Sequence, residues 1–191
     1  MLFRSGMFSE ISGVVNIALE GIMLFGAFFG ALFVYIVQDS GMNPQTILLL
    51  GMLIAAMAGI IYSLLLSFAS VTMKANQVIT GTALNLLIPA AILLFSKMFF
   101  SSDGITTNMN FYIREIPILS KIPVLGPMFF QRTYLTVFIS IIFLIIAIIV
   151  FYKTKFGLRL RACGEHPHAA DSVGINVHKM RYAGVSISGI L

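Results

Sequence analysis

Thr133-Tyr-Leu-Thr-Val-Phe-Ile-Ser-Ile-Ile-Phe-Leu-Ile-Ile-Ala-Ile-Ile-Val-Phe-Tyr152 runs for 20 residues without a charge. A helix needs about 20 mostly apolar residues to cross a hydrocarbon core. In lipid the backbone must satisfy its own hydrogen bonds, so this stretch reads as a spanning helix and not as an open strand. Three more stretches qualify. Ile11–Val37 is interrupted by Asn16 and Glu20, Ile47–Val71 lies inside a charge-free run from Ser40 to Met73, and Ala75–Ser96 is uncharged but rich in polar residues. The expected fold class is all-α, a polytopic transmembrane helical bundle.

Composition agrees. Of 191 residues, 59% are hydrophobic and 10% are charged, and the mean hydropathy is +0.99. Soluble domains carry about 25% charged residues, so a soluble enzyme and a disordered tail are excluded. The net charge of +5 does not mark a nucleic-acid binder, because the basic residues lie between apolar runs and not along a polar face. Such clusters face the cytoplasm and its anionic lipid. The single Cys163 excludes an internal disulfide framework. The first apolar run holds Glu20 and lacks a small-residue cleavage site, unlike a cleavable signal.

Lys153, Lys155, Arg159, Arg161, Lys179 and Arg181 are half of the 12 basic residues, which places 153–181 in the cytoplasm. Counting back puts Lys97–Arg132 outside, Lys74 inside, Gln38–Thr46 outside and Arg4 inside. The four basic residues of Lys97–Arg132 run against this orientation, and a re-entrant first or third stretch would change the parity. The apolar run Tyr182–Leu191 reaches only about 15 Å as a helix, half a bilayer core, so a fragment is expected.

Polar groups at membrane depth are the next signal. Glu20 is costly there unless it faces protein or water. As one continuous helix, Ile11–Val37 would put Asn16 and Glu20 on a shared face, either lining a pathway or bonding a neighbouring helix. Gly26 with Gly30, and Ala55 with Gly59, are small-xxx-small pairs expected to let helices approach closely. Asn76, Gln77, Thr80, Thr82 and Asn85 do not form one stripe at helical spacing. A helix broken around Gly81 would relieve this, and Pro89 frees the carbonyl of Asn85. The functional reading is a translocation pathway, and the structural reading is interhelical glue.

In the cytoplasmic segment, Pro167 suits a first helical position and Gly174 a left-handed cap. A two-turn helix Pro167–Val173 follows, with Ala169 and Ala170 as a small flat surface for a partner's groove. It reads equally as a solvated loop. His166 and His168 do not share a helix face and no further ligand completes a set, so no metal is expected. No phosphate-binding Gly-x-x-x-x-Gly-Lys-Ser/Thr loop occurs. The chain therefore reads as a non-enzyme without a cofactor, and any ATP would be hydrolysed by another chain.

At these residues the sequence resembles the permease subunit of bacterial ABC importers for nucleosides and simple sugars, within the ribose and branched-chain amino-acid permease superfamily. Three blocks carry it. They are Gly13-Val-Val-Asn-Ile-Ala-Leu-Glu-Gly-Ile-Met-Leu-Phe-Gly-Ala-Phe28, Asn76-Gln-Val-Ile-Thr-Gly-Thr-Ala-Leu-Asn-Leu-Leu87, and Thr154–Gly189 with its Gly164-Glu-His-Pro and Ala169-Ala-Asp-Ser-Val-Gly-Ile-Asn-Val motifs. Pro117–Pro127 looks like the nucleoside branch.

The resemblance implies a type II importer-like fold, here incomplete: residues 1–191 as one permease domain truncated at both ends, with 153–181 as the coupling loop. It also implies a second permease subunit (the same or homologous), an ATPase subunit, an extracytoplasmic substrate-binding lipoprotein and a bacterial cytoplasmic membrane. Carried over, Gly164, Glu165, Pro167, Ala169, Ala170, Asp171, Gly174 and Ile175 would form the coupling element. Asn16, Glu20, Asn76, Thr80 and Asn85 become the pathway candidates. The sequence departs from the family in three ways: a helix expected before the first block, an absent second membrane half, and His166 where relatives carry Asn, a better cap. Two other readings remain: an ion-coupled secondary carrier using Glu20, and a membrane scaffold that transports nothing.

Overall fold

The computed structural model describes residues 2–100, 105, 111–115 and 131–190. Helix α1 spans Leu2–Ile11, α2 Leu19–Val37, α3 Pro44–Ser67 and α4 Gln77–Phe100. Strands β1 (Tyr112–Glu115) and β2 (Gln131–Tyr134) pair antiparallel, with Tyr112 opposite Tyr134. Helices α5 (Leu135–Lys153), α6 (Lys155–Glu165), α7 (Pro167–Ser172) and α8 (Val177–Ile190) follow. The all-α expectation holds, with this one short ribbon as an addition. Pro117–Pro127 lies outside the described residues.

Among the described residues, four helices are long and apolar enough to span: Leu19–Val37, Pro44–Thr72, Gln77–Phe100 and Thr136–Lys153. Each matches an expected stretch, but the first is shorter. Residues 12–18 are not helical, so α1 and α2 are separate helices joined by a break. The expectation that Asn16 and Glu20 share a helix face is therefore corrected: Asn16 lies in the break and Glu20 in the first turn of α2. The ten-residue α1 precedes the first resemblance block.

The expected interruption near Gly81 is absent, because α4 is continuous through Gly81 and Pro89. Instead Gly81 lets the break approach, since a Cβ there would lie 2.9 Å from Ile17 Cβ and 3.3 Å from the Ala18 nitrogen. One irregularity falls elsewhere. The last turn of the second span, Phe68–Thr72, is a π turn, and Lys74 at φ +53° turns the chain out of it.

Small residues bring α2 onto α3 without side chains between them. A Cβ on Gly26 would lie 2.9 Å from the Ala55 carbonyl oxygen, and one on Gly30 3.2 Å from the Gly51 oxygen. Gly59 faces a different helix: its Cβ would overlap the Gly189 carbonyl of α8. In lipid, where apolar burial gives no drive between helices, such close van der Waals packing holds them. The core joins Val14 and Ala18 of the break to Ile22, Tyr62, Leu66, Val71, Ile88 and Val185. A second cluster stacks Phe8 on Phe151, ring centroids 3.9 Å apart, over Leu160. By contrast, α4 and α5 bury only 11% of their spanning windows, leaving broad apolar faces for lipid or further helices. A cavity of about 380 Å³ separates α5 from α2, α3 and the end of α8.

Candidate functional site

The break at 12–18 brings together two of the expected pathway residues, Asn16 and Asn85, and leaves Asn76 and Thr80 on their own helix. A non-helical backbone inside a membrane protein must find its partners elsewhere, and here they come from distant helices. The Val15 amide donates to Gln77 Oε1 at 2.9 Å. Asn85 bridges both sides of the α2 start: its Oδ1 accepts from the Gly21 amide at 2.7 Å, and its Nδ2 donates to the Ile17 carbonyl at 2.7 Å. Asn16, 4% exposed, donates through Nδ2 to Ser188 Oγ of α8 at 3.1 Å. Among the described residues its Oδ1 is buried without a partner.

The other polar residues of the third stretch satisfy the backbone nearby. Asn76 caps α4, its Oδ1 accepting from the Val78 amide at 3.0 Å, as a short polar side chain does at an N-cap. The Thr80 hydroxyl donates to the Asn76 carbonyl, and the Thr82 hydroxyl to the Val78 carbonyl. Each hydroxyl thus has an acceptor on its own helix. Glu20 differs from all of these. It is exposed, and among the described residues it has no hydrogen-bond or ion-pair partner. It stands in the first turn of α2, where the positive end of the helix dipole favours a carboxylate.

Residues 153–181 are more ordered than their sequence suggests. Thr154 ends α5 and starts α6, donating to the Val150 carbonyl and accepting from the Gly157 amide at 3.3 Å. Arg161 donates to the Phe151 carbonyl at 2.8 Å while lying over the Tyr152 ring. Helix α6 escaped the sequence reading, although Phe156, Leu160 and Cys163 recur at helical spacing and Thr154 is a good cap. Asn176, also passed over, caps α8 by accepting from the Lys179 amide at 3.0 Å.

Helix α7 begins at Pro167 as expected and closes in a Schellman motif. The Gly174 amide donates to the Asp171 carbonyl and the Ile175 amide to the Ala170 carbonyl, with Gly174 at φ +85°. His166 makes no side-chain cap bond. Glu165, His168, Ala169, Asp171, Ser172 and Gly174 are exposed, and Gly164, Pro167 and Ile175 are half-buried. Ala170 is 5% exposed, so the flat surface expected from Ala169 and Ala170 together is corrected: only Ala169 faces outward. Val173, which the sequence reading did not single out, is 79% exposed at the tip of this segment.

Cys163 lies buried on α6, and burial pushes its thiol up, with Arg181 pulling it partly back. The thiolate is the nucleophile. Maleimide at neutral pH should therefore leave Cys163 unmodified in native membranes and label it fully after denaturation, read by mass spectrometry. Rapid native labelling would mean that α6 is not packed as described.

The chain matches the family described as branched-chain amino acid transport system/permease component over residues 5–191. It is 42% identical over 193 residues to the nucleoside ABC transporter permease protein NupC of Lactococcus lactis subsp. cremoris (strain MG1363), covering 100% of this chain and 60% of the relative. It is 44% identical over 189 residues to the guanosine ABC transporter permease protein NupQ of Bacillus subtilis (strain 168), covering 97% of this chain and 58% of the relative. It is 29% identical to the putative glucose ABC transporter permease protein TsgC13 of Haloferax volcanii, covering 96% of this chain and 53% of the relative. The chain thus spans between half and two thirds of the length of these curated relatives. No solved structure matches it. With four helices of spanning length and composition and a family match that runs from residue 5 to the last residue, this multi-pass membrane chain belongs to the branched-chain amino acid transport system permease family.

Proposed function

We propose that the chain is a membrane permease subunit of an ATP-driven ABC importer that moves nucleosides across a bacterial cytoplasmic membrane. Similarity along its whole length to two permeases named for nucleosides carries this reading. The lower identity to a relative named for glucose favours nucleosides over simple sugars. The chain needs no cofactor of its own. A separate ATPase subunit hydrolyses ATP, a second permease subunit completes the pathway, and an extracytoplasmic binding lipoprotein delivers substrate.

The exposed tip of 165–174 is the surface offered to the ATPase. ATP binding closes the ATPase pair and moves this tip, and the pathway residues follow. Among the pathway candidates, Asn85 and Asn76 hold backbone, and Thr80 bonds its own helix. That leaves Glu20 as the free carboxylate able to face water or substrate, and Asn16 as a buried group with one unused acceptor.

The test is uptake of labelled guanosine into proteoliposomes holding the full-length permease, its ATPase and its binding lipoprotein. Uptake should require ATP and stop when ATP is depleted. Uptake that survives ATP depletion but is abolished by Glu20→Gln would replace the importer by an ion-coupled carrier. No uptake of any nucleoside or sugar would favour the scaffold reading.

A further inference from the structure

Two glycines join the cytoplasmic segment to the break with no side chain between them. Gly164 is the last residue but one of α6, next to the exposed tip that begins at Glu165. A Cβ on Gly164 would overlap the Ile11 carbonyl oxygen and lie 3.2 Å from the Gly13 nitrogen. Gly13, at φ +82°, answers from the other side: a Cβ there would lie 3.3 Å from the Gly164 Cα. Nearby, a Cβ on Gly184 of α8 would lie 2.9 Å from the Phe8 carbonyl oxygen and from Ser12 Cβ. The Asn16–Ser188 bond adds a polar tie from the same helix. The helices on both sides of the exposed tip are thus seated directly on the main chain of α1 and the break.

Helix α4 holds the break differently. Gln77 and Asn85 reach it through two hydrogen bonds, to Val15 and Ile17, and Asn85 makes a third to Gly21 in the first turn of α2. Backbone contact transmits displacement without loss, because packed interiors are close to incompressible, whereas side-chain hydrogen bonds can exchange partners. The buried, unpartnered Asn16 Oδ1 shows that the present arrangement does not satisfy every polar group of the break. A segment clamped on one side, switchable on the other and left with an unused acceptor has the features of an element with two arrangements.

We propose that Gly13 and Gly164 are the relay of the transporter: their main-chain contact carries movement of the 165–174 tip into the break at 12–18, which shifts against α4. Both act as positioning residues through the break. This rests on the importer reading, and the experiment separates the two. Cys163 is replaced by Ala, and Val15, 46% exposed in the break, by Cys as a reporter for a membrane-impermeant maleimide. The assembled full-length transporter in proteoliposomes is labelled without nucleotide and with ATP bound, and uptake and ATP hydrolysis are read alongside.

With native glycines the labelling rate should change at least threefold between the two states. Gly13→Ala should equalise the two rates and lower uptake at least tenfold, while hydrolysis per assembled complex stays within twofold; Gly164→Ala should equalise the two rates as well. A purely structural role would lower uptake and hydrolysis together, which overturns the proposal. So would equal labelling rates with native glycines, a result that needs no glycine variant to assemble. Absence of any ATP-dependent uptake sinks the importer reading itself; ATP-dependent uptake with equal labelling rates sinks only the relay.

Discussion

Asn85→Leu should destabilise the permease by about 2–4 kcal/mol and abolish uptake. Asn85 donates to the Ile17 carbonyl and accepts from the Gly21 amide. Leucine fills a similar volume but leaves both backbone groups unpaired. An unsatisfied buried polar group costs about 1–3 kcal/mol, while single interhelical side-chain bonds in membranes average only ~0.6 kcal/mol. The larger figure governs here, because the Ile17 carbonyl lies in the non-helical break and the Gly21 amide in the first turn of α2, where amides lack intrahelical acceptors. Asn85→Asp keeps the acceptor for Gly21 and loses the donor to Ile17, so its cost should fall between wild type and leucine. Thermal denaturation of the full-length permease in detergent ranks the three. Asn85→Leu as stable as wild type would show that α4 does not hold the break.

That break explains how far the sequence could be read. The four spans follow from hydropathy alone, because a bilayer sets their length. The α7 start at Pro167 and the cap at Gly174 follow from local backbone rules. One local mark was passed over: Ser12-Gly13 stops α1, with Gly13 at φ +82° and the Gly13 and Val14 amides donating to the Glu10 and Ser9 carbonyls. Beyond it, Val-Val-Asn-Ile-Ala holds no proline and continues the apolar run, and side chains 62, 68 and 172 positions away partner its backbone and Asn16. The polar residues of the third stretch were visible as out of place at membrane depth. What they bond was not, since pattern gives the face of a helix but not the segment lying on it. For the same reason Gly81 reads as a helix breaker, while its observed use is to admit a neighbouring main chain. Helix α6, in contrast, left a signal in the spacing of Phe156, Leu160 and Cys163 together with Thr154, and the sequence reading passed over it.

Ala170 and Val173 separate the fold of the 165–174 tip from its proposed use. Successive helical residues point about 100° apart, so Ala169 and Ala170 cannot present one surface on a helix of two turns. The Schellman cap decides between them. It sets Ile175 and Ala170 at the paired positions that such a cap brings together, and Ala170 is 5% exposed. A carboxylate at 170 must leave that site or be desolvated without a partner, at a cost of several kcal/mol. Ala170→Glu should therefore lower the amount of assembled permease and its thermal stability, whether or not an ATPase is present. Val173, 79% exposed, has no such constraint. Val173→Glu should leave melting unchanged but lower ATP-dependent uptake at least tenfold, because the apolar tip then meets its partner as an unpaired charge. Thermal melting of the two variants, with uptake and hydrolysis beside it, tests both. The reverse pattern, Ala170→Glu folded but uncoupled and Val173→Glu fully active, would return the docking surface to Ala170 and remove it from Val173.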